Sequence, residues 1–363
     1  MSPNFGIIGL AKSGKTTIFN ALTKSKAGTE TLTPHIGIAK TSDPRLKMLD
    51  DILHPKRFVA AEATYIDIGA SAKGPARDGV INDQILSQIS NIDAPINIVR
   101  SFTDDSTPHT EGSLNVERDI VTMDLELALS DSAIIGKRLE RIDISLKGAK
   151  QSEHQGLLRA QELLTKVKTD LEKNVPIREI ELTIDEARTI ASYQFLTAKP
   201  LLIIVNIGEE QLPQATHLEA ELSSRYSRPS CRIITLCGKL EMELTQLDES
   251  AADAFRAEFG MKESGLDRAT KLSYELLELI SFFTIASGEV RAWSIPNGTN
   301  ILRAAGKIHS DMERGFIRAE VISYNDLLKH SSVAEARKKG LLRLEGKNYI
   351  VQDGDIITFL FNV

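Results

Sequence analysis

The chain has 363 residues, which is more than one ordinary hydrophobic core accommodates and predicts two or three domains. Its hydrophobic content of 42% and charged content of 26% exclude a disordered or fibrous protein, and its net charge of −6 argues against one that coats nucleic acid with its whole surface. No apolar run approaches membrane-spanning length, no secretory leader is recognisable, and the two cysteines, Cys231 and Cys237, lack zinc-ligand spacing. We therefore expect a cytoplasmic protein with reduced thiols and no membrane partner.

Short apolar runs alternate with segments of helix length. The run at 5–10 ends in a Gly/Ser/Lys loop, and 17–24 predicts a helix after it. Further runs of strand length lie at 63–68, 95–102, 201–207 and 232–236. Such near-continuous apolar strands are buried on both faces. The sequence therefore predicts an α/β fold with a mostly parallel sheet and helices on both faces.

Between the runs at 95–102 and 201–207, residues 125–198 form a mainly helical region. Two apolar stripes have coiled-coil-like spacing, Ile135, Leu139, Ile142 and Leu146 in the first, and Leu157, Leu164, Val167 and Leu171 in the second. A turn near 147–150 would join them as an antiparallel hairpin. A helical coiled-coil insertion is the favoured interpretation, and a pair of short core helices is the alternative.

The pattern changes again near residue 279. The segment 290–295 alternates like a strand, and 350–361 resembles a hairpin turning at Asp353-Gly354. This predicts a small α+β module at 279–363, preceded by an α/β domain made of 1–124 and 199–278.

The most specific motif is Gly9-Leu-Ala-Lys-Ser-Gly-Lys-Thr16, a full match to the P-loop pattern between a predicted strand and helix. Its glycines allow backbone N–H groups to converge on phosphate oxygens at the positive end of a helix. Lys15 would neutralise the β- and γ-phosphates, and Thr16 would be a Mg²⁺ ligand. The predicted phosphate-binding residues are Gly9, Lys12, Ser13, Gly14, Lys15, Thr16 and Thr17.

Asp67 ends an apolar strand, where a carboxylate commonly holds Mg²⁺ through water. The segment that follows resembles the D-x-x-G element imperfectly, because Gly69 arrives one residue early and Ala70 stands at the glycine position. Ser71 occupies the place where many GTPases carry a water-orienting glutamine.

The strand at 201–207 leads into Asn206-Ile-Gly-Glu209. GTPases have Asn-Lys-x-Asp there, and its aspartate accepts from two guanine donors. With isoleucine and glutamate instead, that bidentate contact should be lost, so the site can accept adenine. The pattern favours ATP over GTP, unless Asn206 is an ordinary strand-end asparagine.

These motifs, with SDPRL at 42–46, FLTAKPLLIIVNIGEE at 195–210 and EGKNYIVQDGDIITFLFNV at 345–363, resemble the Obg-like ATPase family in its YchF group nearly end to end. The resemblance implies a G domain, a coiled-coil arm and a C-terminal TGS domain. It also implies ATP as substrate through Asn206 and Glu209, Thr31 as a further Mg²⁺ ligand, and His109 in hydrolysis. Without the resemblance, His109 would be an ordinary solvated loop residue.

Several segments depart from the family pattern. Switch II reads DIGASAKG at 67–74 where DIAGLVKG is usual, Lys12-Ser13 replaces Asn-Val, and Leu-Thr follows Thr31. We therefore expect slow hydrolysis. The alternatives are a GTPase and a nucleotide-binding scaffold with impaired hydrolysis.

Two basic regions are candidates for contact with a ribosome or RNA. Residues 303–347 carry 10 Lys/Arg against 6 Asp/Glu, and 137–173 carry 9 against 6. The C-terminal candidates for phosphate contacts are Arg314, Arg318, Arg337, Lys338 and Lys339. Taken alone, both regions are also consistent with ordinary solvated faces, and a monomer is the expected state.

Overall fold

The computed structural model describes residues 2–28, 34–41, 43–68, 91–261, 263–286, 288–330 and 332–362. Thr31 and the segment 69–74, both singled out above, lie outside the described residues. The chain divides into two compact units. The larger unit comprises Asn4–Gly37 and Tyr65–Ala269, and the smaller unit comprises Met1–Pro3, Ile38–Thr64 and Thr270–Val363. The three-part domain division proposed from sequence stays a prediction.

A six-stranded sheet lies mainly in the larger unit. Its strands, in sheet order, are β2 (His35–Lys40), β4 (Glu62–Asp67), β1 (Asn4–Ile8), β5 (Ala94–Arg100), β6 (Leu201–Asn206) and β7 (Cys231–Leu236). The pairs β1–β5, β5–β6 and β6–β7 are parallel. Every residue of β5 and β6 is buried, because helices cover both faces. The predicted α/β fold is confirmed.

Helices lie between and after these strands along the chain, and the longest of them has 31 residues. They are α1 (Lys15–Thr23), α3 (Val116–Leu146), α4 (Gln151–Glu172), α5 (Ile184–Ala191), α6 (Ala215–Tyr226), α7 (Gly238–Leu244), α8 (Glu249–Glu258) and α9 (Gly265–Leu276), with α2 (Pro44–Leu53) in the smaller unit. Short 3₁₀ turns lie at Ile177–Glu179 and Glu209–Gln214. No helix among the described residues is long and apolar enough to cross a membrane.

Helices α3 and α4 form the helical arm, joined by a turn at 147–150. Ile135 and Ile142 of the first predicted stripe are buried against Leu164, Val167 and Leu171 of the second. Leu139, Leu146 and Leu157 pack partly buried against the same cluster. The predicted coiled-coil hairpin is confirmed.

The smaller unit contains a second six-stranded sheet. In sheet order its strands are β11 (Arg343–Glu345), β10 (Phe316–Ser323), β12 (Asp355–Phe361), β8 (Leu279–Ala286), β9 (Glu289–Pro296) and β3 (Arg57–Val59). The helices α2, α10 (Ile301–Ile308), α11 (Ser310–Arg314), α12 (Tyr324–His330) and α13 (Val333–Lys338) accompany it. Adjacent residues Phe282 and Phe283 belong to separate hydrophobic clusters, as expected for a strand buried on both faces.

The predicted hairpin at 350–361 is wrong. Strand β12 pairs with β10 in antiparallel register and with β8 in parallel register, and Ile350 makes only an isolated bridge to Asn300. Gly354 has a φ of 85°, so a turn does precede β12, as expected. The side chain of Asp353 in this turn binds residues outside the predicted hairpin. Asp353 accepts from Arg45 at 2.8 Å and from the Ser281 amide at 2.9 Å.

Candidate nucleotide-binding site

The P-loop joins the end of β1 to the first turn of α1. Its backbone has three residues with positive φ: Gly9 at 141°, Lys12 at 63° and Gly14 at 95°. Glycine adopts such values without steric cost, so the two motif glycines allow the loop to turn back on itself. Lys12 is exposed and Thr17 is half-buried, while Ser13 lies buried beneath the loop.

The two glycines also allow close approach of neighbouring strands. A Cβ on Gly9 would lie 2.3 Å from the carbonyl oxygen of Ile98 on β5. A Cβ on Gly14 would lie 2.2 Å from Asn206 Nδ2, at the end of β6. Both positions therefore require glycine for two reasons: the backbone conformation of the loop, and the close approach of strands that are distant in sequence.

Lys15 is buried within the loop. Its Nζ donates to the carbonyl oxygens of Gly9 and Leu10 at 2.9 and 2.8 Å. Burial lowers the pKa of this ammonium to about 8, and the nearby charge of Asp67 opposes part of that shift. Binding of anionic phosphates beside Lys15 would favour its charged form and raise its pKa again.

Thr16 and Asp67 come together at the carboxyl ends of β1 and β4. The Thr16 hydroxyl donates to Asp67 Oδ2 at 2.8 Å, and Asp67 is fully buried. A hydroxyl and a carboxylate are hard oxygen ligands of the kind that Mg²⁺ takes beside substrate phosphates. No cluster of three or more His, Cys, Asp or Glu side chains suited to a metal occurs in the described ranges. The residues present therefore fit a magnesium ion shared with a nucleotide, and do not form an all-protein metal cage.

Asn206 lies at the opposite end of the loop and is also buried. Its Nδ2 donates to the Ser13 carbonyl at 3.1 Å, and its Oδ1 accepts from the Gly238 amide at 2.9 Å. One side chain thereby ties the P-loop to the turn that follows β7.

Glu209, the other predicted base-reading residue, has a different environment. It lies at the start of the 3₁₀ turn after β6, and its side chain is 48% exposed. Lys239, in the first turn of α7, approaches Glu209 Oε1 at 3.0 Å. Sequence reasoning did not identify Lys239, which is thirty residues further along the chain and carries no motif.

His109 lies in the loop between β5 and α3, and its side chain is only 5% exposed. Its Nε2 lies 2.8 Å from Asp119 Oδ2, and its Nδ1 accepts from the Glu111 amide at 3.1 Å. The histidine borders a small void whose lining includes Leu10 and Ser13 of the P-loop. The structure therefore places His109 beside the P-loop but turned towards Asp119, a partner that the sequence did not suggest.

A β1–P-loop–α1 unit at the carboxyl end of an interior sheet strand, with a buried lysine and a threonine–aspartate pair, defines a P-loop nucleoside triphosphatase. Comparison with known proteins narrows this class. Residues 279–362 match the YchF-GTPase_C model, described as "Protein of unknown function (DUF933)". A relative named "Ribosome-binding ATPase YchF" from Bacillus subtilis (strain 168) is 37% identical over 370 residues, 100% of both chains. A protein of the same name from Escherichia coli O157:H7 is 35% identical over 365 residues, 99% of each.

The fold agrees with these relatives. A solved structure titled "Structure of the Schizosaccharomyces pombe YchF GTPase" superimposes with a TM-score of 0.86 at 30% identity, covering 99% of this chain and 98% of that chain. The chain belongs to the YchF family, as the sequence resemblance indicated.

Proposed function

We propose that this protein is a Mg²⁺-dependent ATPase that acts as a nucleotide switch and associates with ribosomes. The observation that carries the proposal is the group formed by buried Lys15 and Asp67 with half-buried Thr16 at the carboxyl edge of the larger unit's sheet. A charge-bearing lysine next to two oxygen ligands matches what a magnesium-bound triphosphate requires.

Phosphate binding would use groups that already converge at the loop. The backbone N–H groups from Gly9 to Thr17 surround the start of α1, where the helix dipole favours negative charge. Lys15 would exchange its bonds to two loop carbonyls for bonds to phosphate oxygens. Thr16 and Asp67, with Thr31 as a third candidate, would hold Mg²⁺, which neutralises phosphate charge when it is bound.

Base preference would come from the other end of the loop. Asn206 is fixed by Ser13 and Gly238, so its amide supports the loop that surrounds the base. Glu209 is about half exposed, and its carboxylate would accept a hydrogen bond from the exocyclic amine of adenine. Guanine would present its O6 atom at that position, and a carboxylate cannot donate a hydrogen bond to an oxygen. We therefore propose ATP as the preferred substrate.

Hydrolysis by the isolated chain would be slow. We propose His109 as the residue that acts on the attacking water, and both of its ring nitrogens face protein groups in this structure. A rearrangement of the loop would therefore precede efficient hydrolysis.

Ribosome association is proposed from the names of the relatives and from the distribution of charge. Two basic residues near the base of the helical arm are paired, Lys166 with Glu186 and Lys173 with Asp170. Among the described residues, no ion pair holds the cations of the outer part, Lys137, Arg141, Lys147, Lys150 and Arg159. These cations can contact RNA phosphates without first breaking a salt bridge.

The C-terminal candidates divide in a similar way. Arg314 pairs with Asp311, Arg337 with Glu320, and Lys339 contacts His330. Within the described part of the chain, Arg318 and Lys338 have no ion-pair partner. We therefore propose Arg318, Lys338 and the outer helical arm as the RNA-facing cations of a cytoplasmic, monomeric protein.

The decisive experiment is isothermal titration of the purified protein with Mg-ATP and with Mg-GTP, followed by phosphate release with and without ribosomes. Tighter ATP binding and faster release on ribosomes would support the proposal. Tighter GTP binding would overturn the base assignment. ATP binding without release under either condition would indicate a nucleotide-binding scaffold.

A second experiment tests the partner surface by ribosome co-sedimentation over a salt series. Joint replacement of Lys137, Arg141, Lys147 and Lys150 by alanine should weaken sedimentation and flatten its salt dependence. Replacing Arg188, an exposed cation paired with Asp185 on α5, provides the control. Equal loss in both variants would argue against a specific role for the arm.

A further inference from the structure

The loop between β5 and α3 folds back onto the first turn of α3. Asp119, in that turn, is 3% exposed at its side chain, and its Oδ2 lies 2.8 Å from His109 Nε2. Its other oxygen, Oδ1, accepts from Arg118 Nε and Nη2 at 2.9 and 2.8 Å. Asp119 therefore lies between a helix arginine and the loop histidine.

Arg118 extends this arrangement along the loop. Its Nη2 donates to the Ser113 carbonyl at 2.7 Å, and its Nη1 donates to the Ser113 hydroxyl at 3.2 Å. Because the same guanidinium also binds Asp119, the stretch from His109 to Ser113 is held against the helix by one connected set of polar contacts. Loop position and histidine position are consequently coupled.

In this arrangement His109 has no ring nitrogen left for a water molecule or a phosphate. Nδ1 accepts the Glu111 amide, so it carries no proton, and the proton of the neutral ring is on Nε2, which faces Asp119. A histidine that acts on an attacking water needs one of these nitrogens within hydrogen-bond reach of that water. The observed position is thus a resting position for hydrolysis.

The surroundings of this resting position are incompletely hydrogen-bonded. Eight buried side-chain polar atoms have no hydrogen-bond partner among the described residues. Four of the eight belong to residues that line the same small void: Ser13 Oγ, Asn97 Nδ2, Arg100 Nη1 and Asp119 Oδ2. Asp119 Oδ2 is one of these atoms although His109 Nε2 lies 2.8 Å away, so the two atoms make a close contact without a well-aligned hydrogen bond. Buried polar groups in native structures are normally hydrogen-bonded. A cluster of four that are not means that few hydrogen bonds would be broken if His109 left this position.

Ser13 connects this cluster to the nucleotide site. Its carbonyl is held by Asn206 within the P-loop, while its hydroxyl lies at the void beside His109. Leu10 of the P-loop lines the same void, so a change in the P-loop on binding phosphates would alter the wall of the histidine's resting place.

We infer that Asp119 is a positioning residue that retains His109 in its resting position, and that releasing this contact is a step towards hydrolysis. The inference rests on the proposed role of His109. In this inference Asp119, held by Arg118, controls when His109 is available for hydrolysis. The same contact explains why His109 lies beside the P-loop while its ring faces Asp119.

The kinetic test compares basal phosphate release, without ribosomes, in the full-length chain and four variants. Asp119→Asn removes the charge that retains the ring, and it should raise basal release by about five- to tenfold, the range of a modest two-state coupling. The double variant Asp119→Asn/His109→Ala should release phosphate as slowly as His109→Ala alone. Glu117→Gln is the matched control, because Glu117 lies in the same helical turn but pairs with Arg225 at the surface.

Reduced or unchanged release in Asp119→Asn would overturn the inference. If His109→Ala alone left release unchanged, the proposed role of His109 would fail instead, and the two failures are therefore distinguishable.

A measurement on the wild-type chain keeps the inference testable even if Asp119→Asn fails to fold. Nitrogen-15 NMR of the His109 imidazole should show the Nε2–H tautomer in nucleotide-free protein. Adding Mg²⁺ and a non-hydrolysable ATP analogue should shift both ring nitrogens. An imidazole signal unaffected by the analogue would overturn the release step.

Discussion

The phosphate end and the base end of the candidate site are built in different ways. At the phosphate end, Lys15 and Asp67 are buried and the backbone of Gly9 and Gly14 is fixed by strands that pass within contact distance. At the base end, Glu209 is about half exposed and meets another exposed side chain, Lys239. Buried polar groups with fixed partners contribute strongly and specifically, whereas exposed ion pairs contribute little and are screened by salt.

This difference predicts where the protein tolerates change. Substitutions at the phosphate end should affect folding or affinity by large factors, because no solvent can replace the lost contacts. Substitutions at Glu209 should alter the choice between nucleotides only slightly. Four substitutions or conditions test this contrast, from the largest expected effect to the smallest.

Gly14→Ala should have the largest effect. The new Cβ would lie 2.2 Å from Asn206 Nδ2 at a residue whose φ is 95°. Left-handed backbone and overpacking together should lower the free energy of unfolding by about 3 kcal/mol. Urea denaturation followed by far-ultraviolet circular dichroism measures this, since the single tryptophan, Trp293, lies in the smaller unit.

Gly136→Ala is the matched control. Gly136 lies within α3, and a Cβ there would meet nothing within 4 Å. Alanine should therefore leave stability unchanged or raise it by up to about 1 kcal/mol. If the two variants unfolded at the same urea concentration, the proposed clash at Gly14 would be wrong.

Lys15→Ala should follow in size. Loss of a charged donor to the phosphates should weaken Mg-ATP binding about 100-fold, equivalent to about 2.7 kcal/mol. Because burial already disfavours the charged ammonium, the variant should keep its thermal midpoint. Titration calorimetry with Lys26→Ala, an exposed lysine beyond α1, gives the comparison, and undiminished ATP affinity in Lys15→Ala would refute the site assignment.

The phosphate end was also the part most accessible to prediction from the sequence. Its determinants, from Gly9 to Thr17, are contiguous, and the apolar strand and helix around them were recognisable locally. Asp67 was identified because it ends an apolar strand, and parallel strands bring their carboxyl ends to one edge. Local sequence patterns are enough to predict a site that is formed by residues adjacent in sequence.

Contacts between distant segments could not be predicted in this way. The bond from Asn206 to Ser13 spans 193 residues, and the Glu209–Lys239 pair depends on how the turns after β6 and β7 meet. Asp119 is ten residues from His109, yet only the fold-back of the loop brings them together. The wrong hairpin at 350–361 has the same origin, since β12 finds its partners in β10 and β8 and not in the adjacent segment.

The pH dependence of ATP affinity should be the third effect. Lys15 has a pKa of about 8 in the nucleotide-free protein, and phosphates favour its charged form. Affinity should be flat below pH 8, where Lys15 is already charged, and should fall as pH rises through 8. The loss should reach about tenfold at pH 9, or about 1.4 kcal/mol. In Lys15→Arg, whose charge does not titrate in this range, the ratio of affinities at pH 7 and pH 9 should approach one.

Substitution of Glu209 should give the smallest effect and the sharpest test of the contrast. Glu209→Gln removes the charge, weakens the contact with Lys239 and keeps the length of the side chain. Because the group is exposed, the ratio of ATP to GTP affinity should fall by only about two- to threefold, and less in high salt. Competition titrations at low and high ionic strength measure this ratio, with Glu210→Gln as the neighbouring control. A loss of tenfold or more that persists in high salt would show that Glu209 reads the base from a desolvated position, and the two ends of the site would then be built alike.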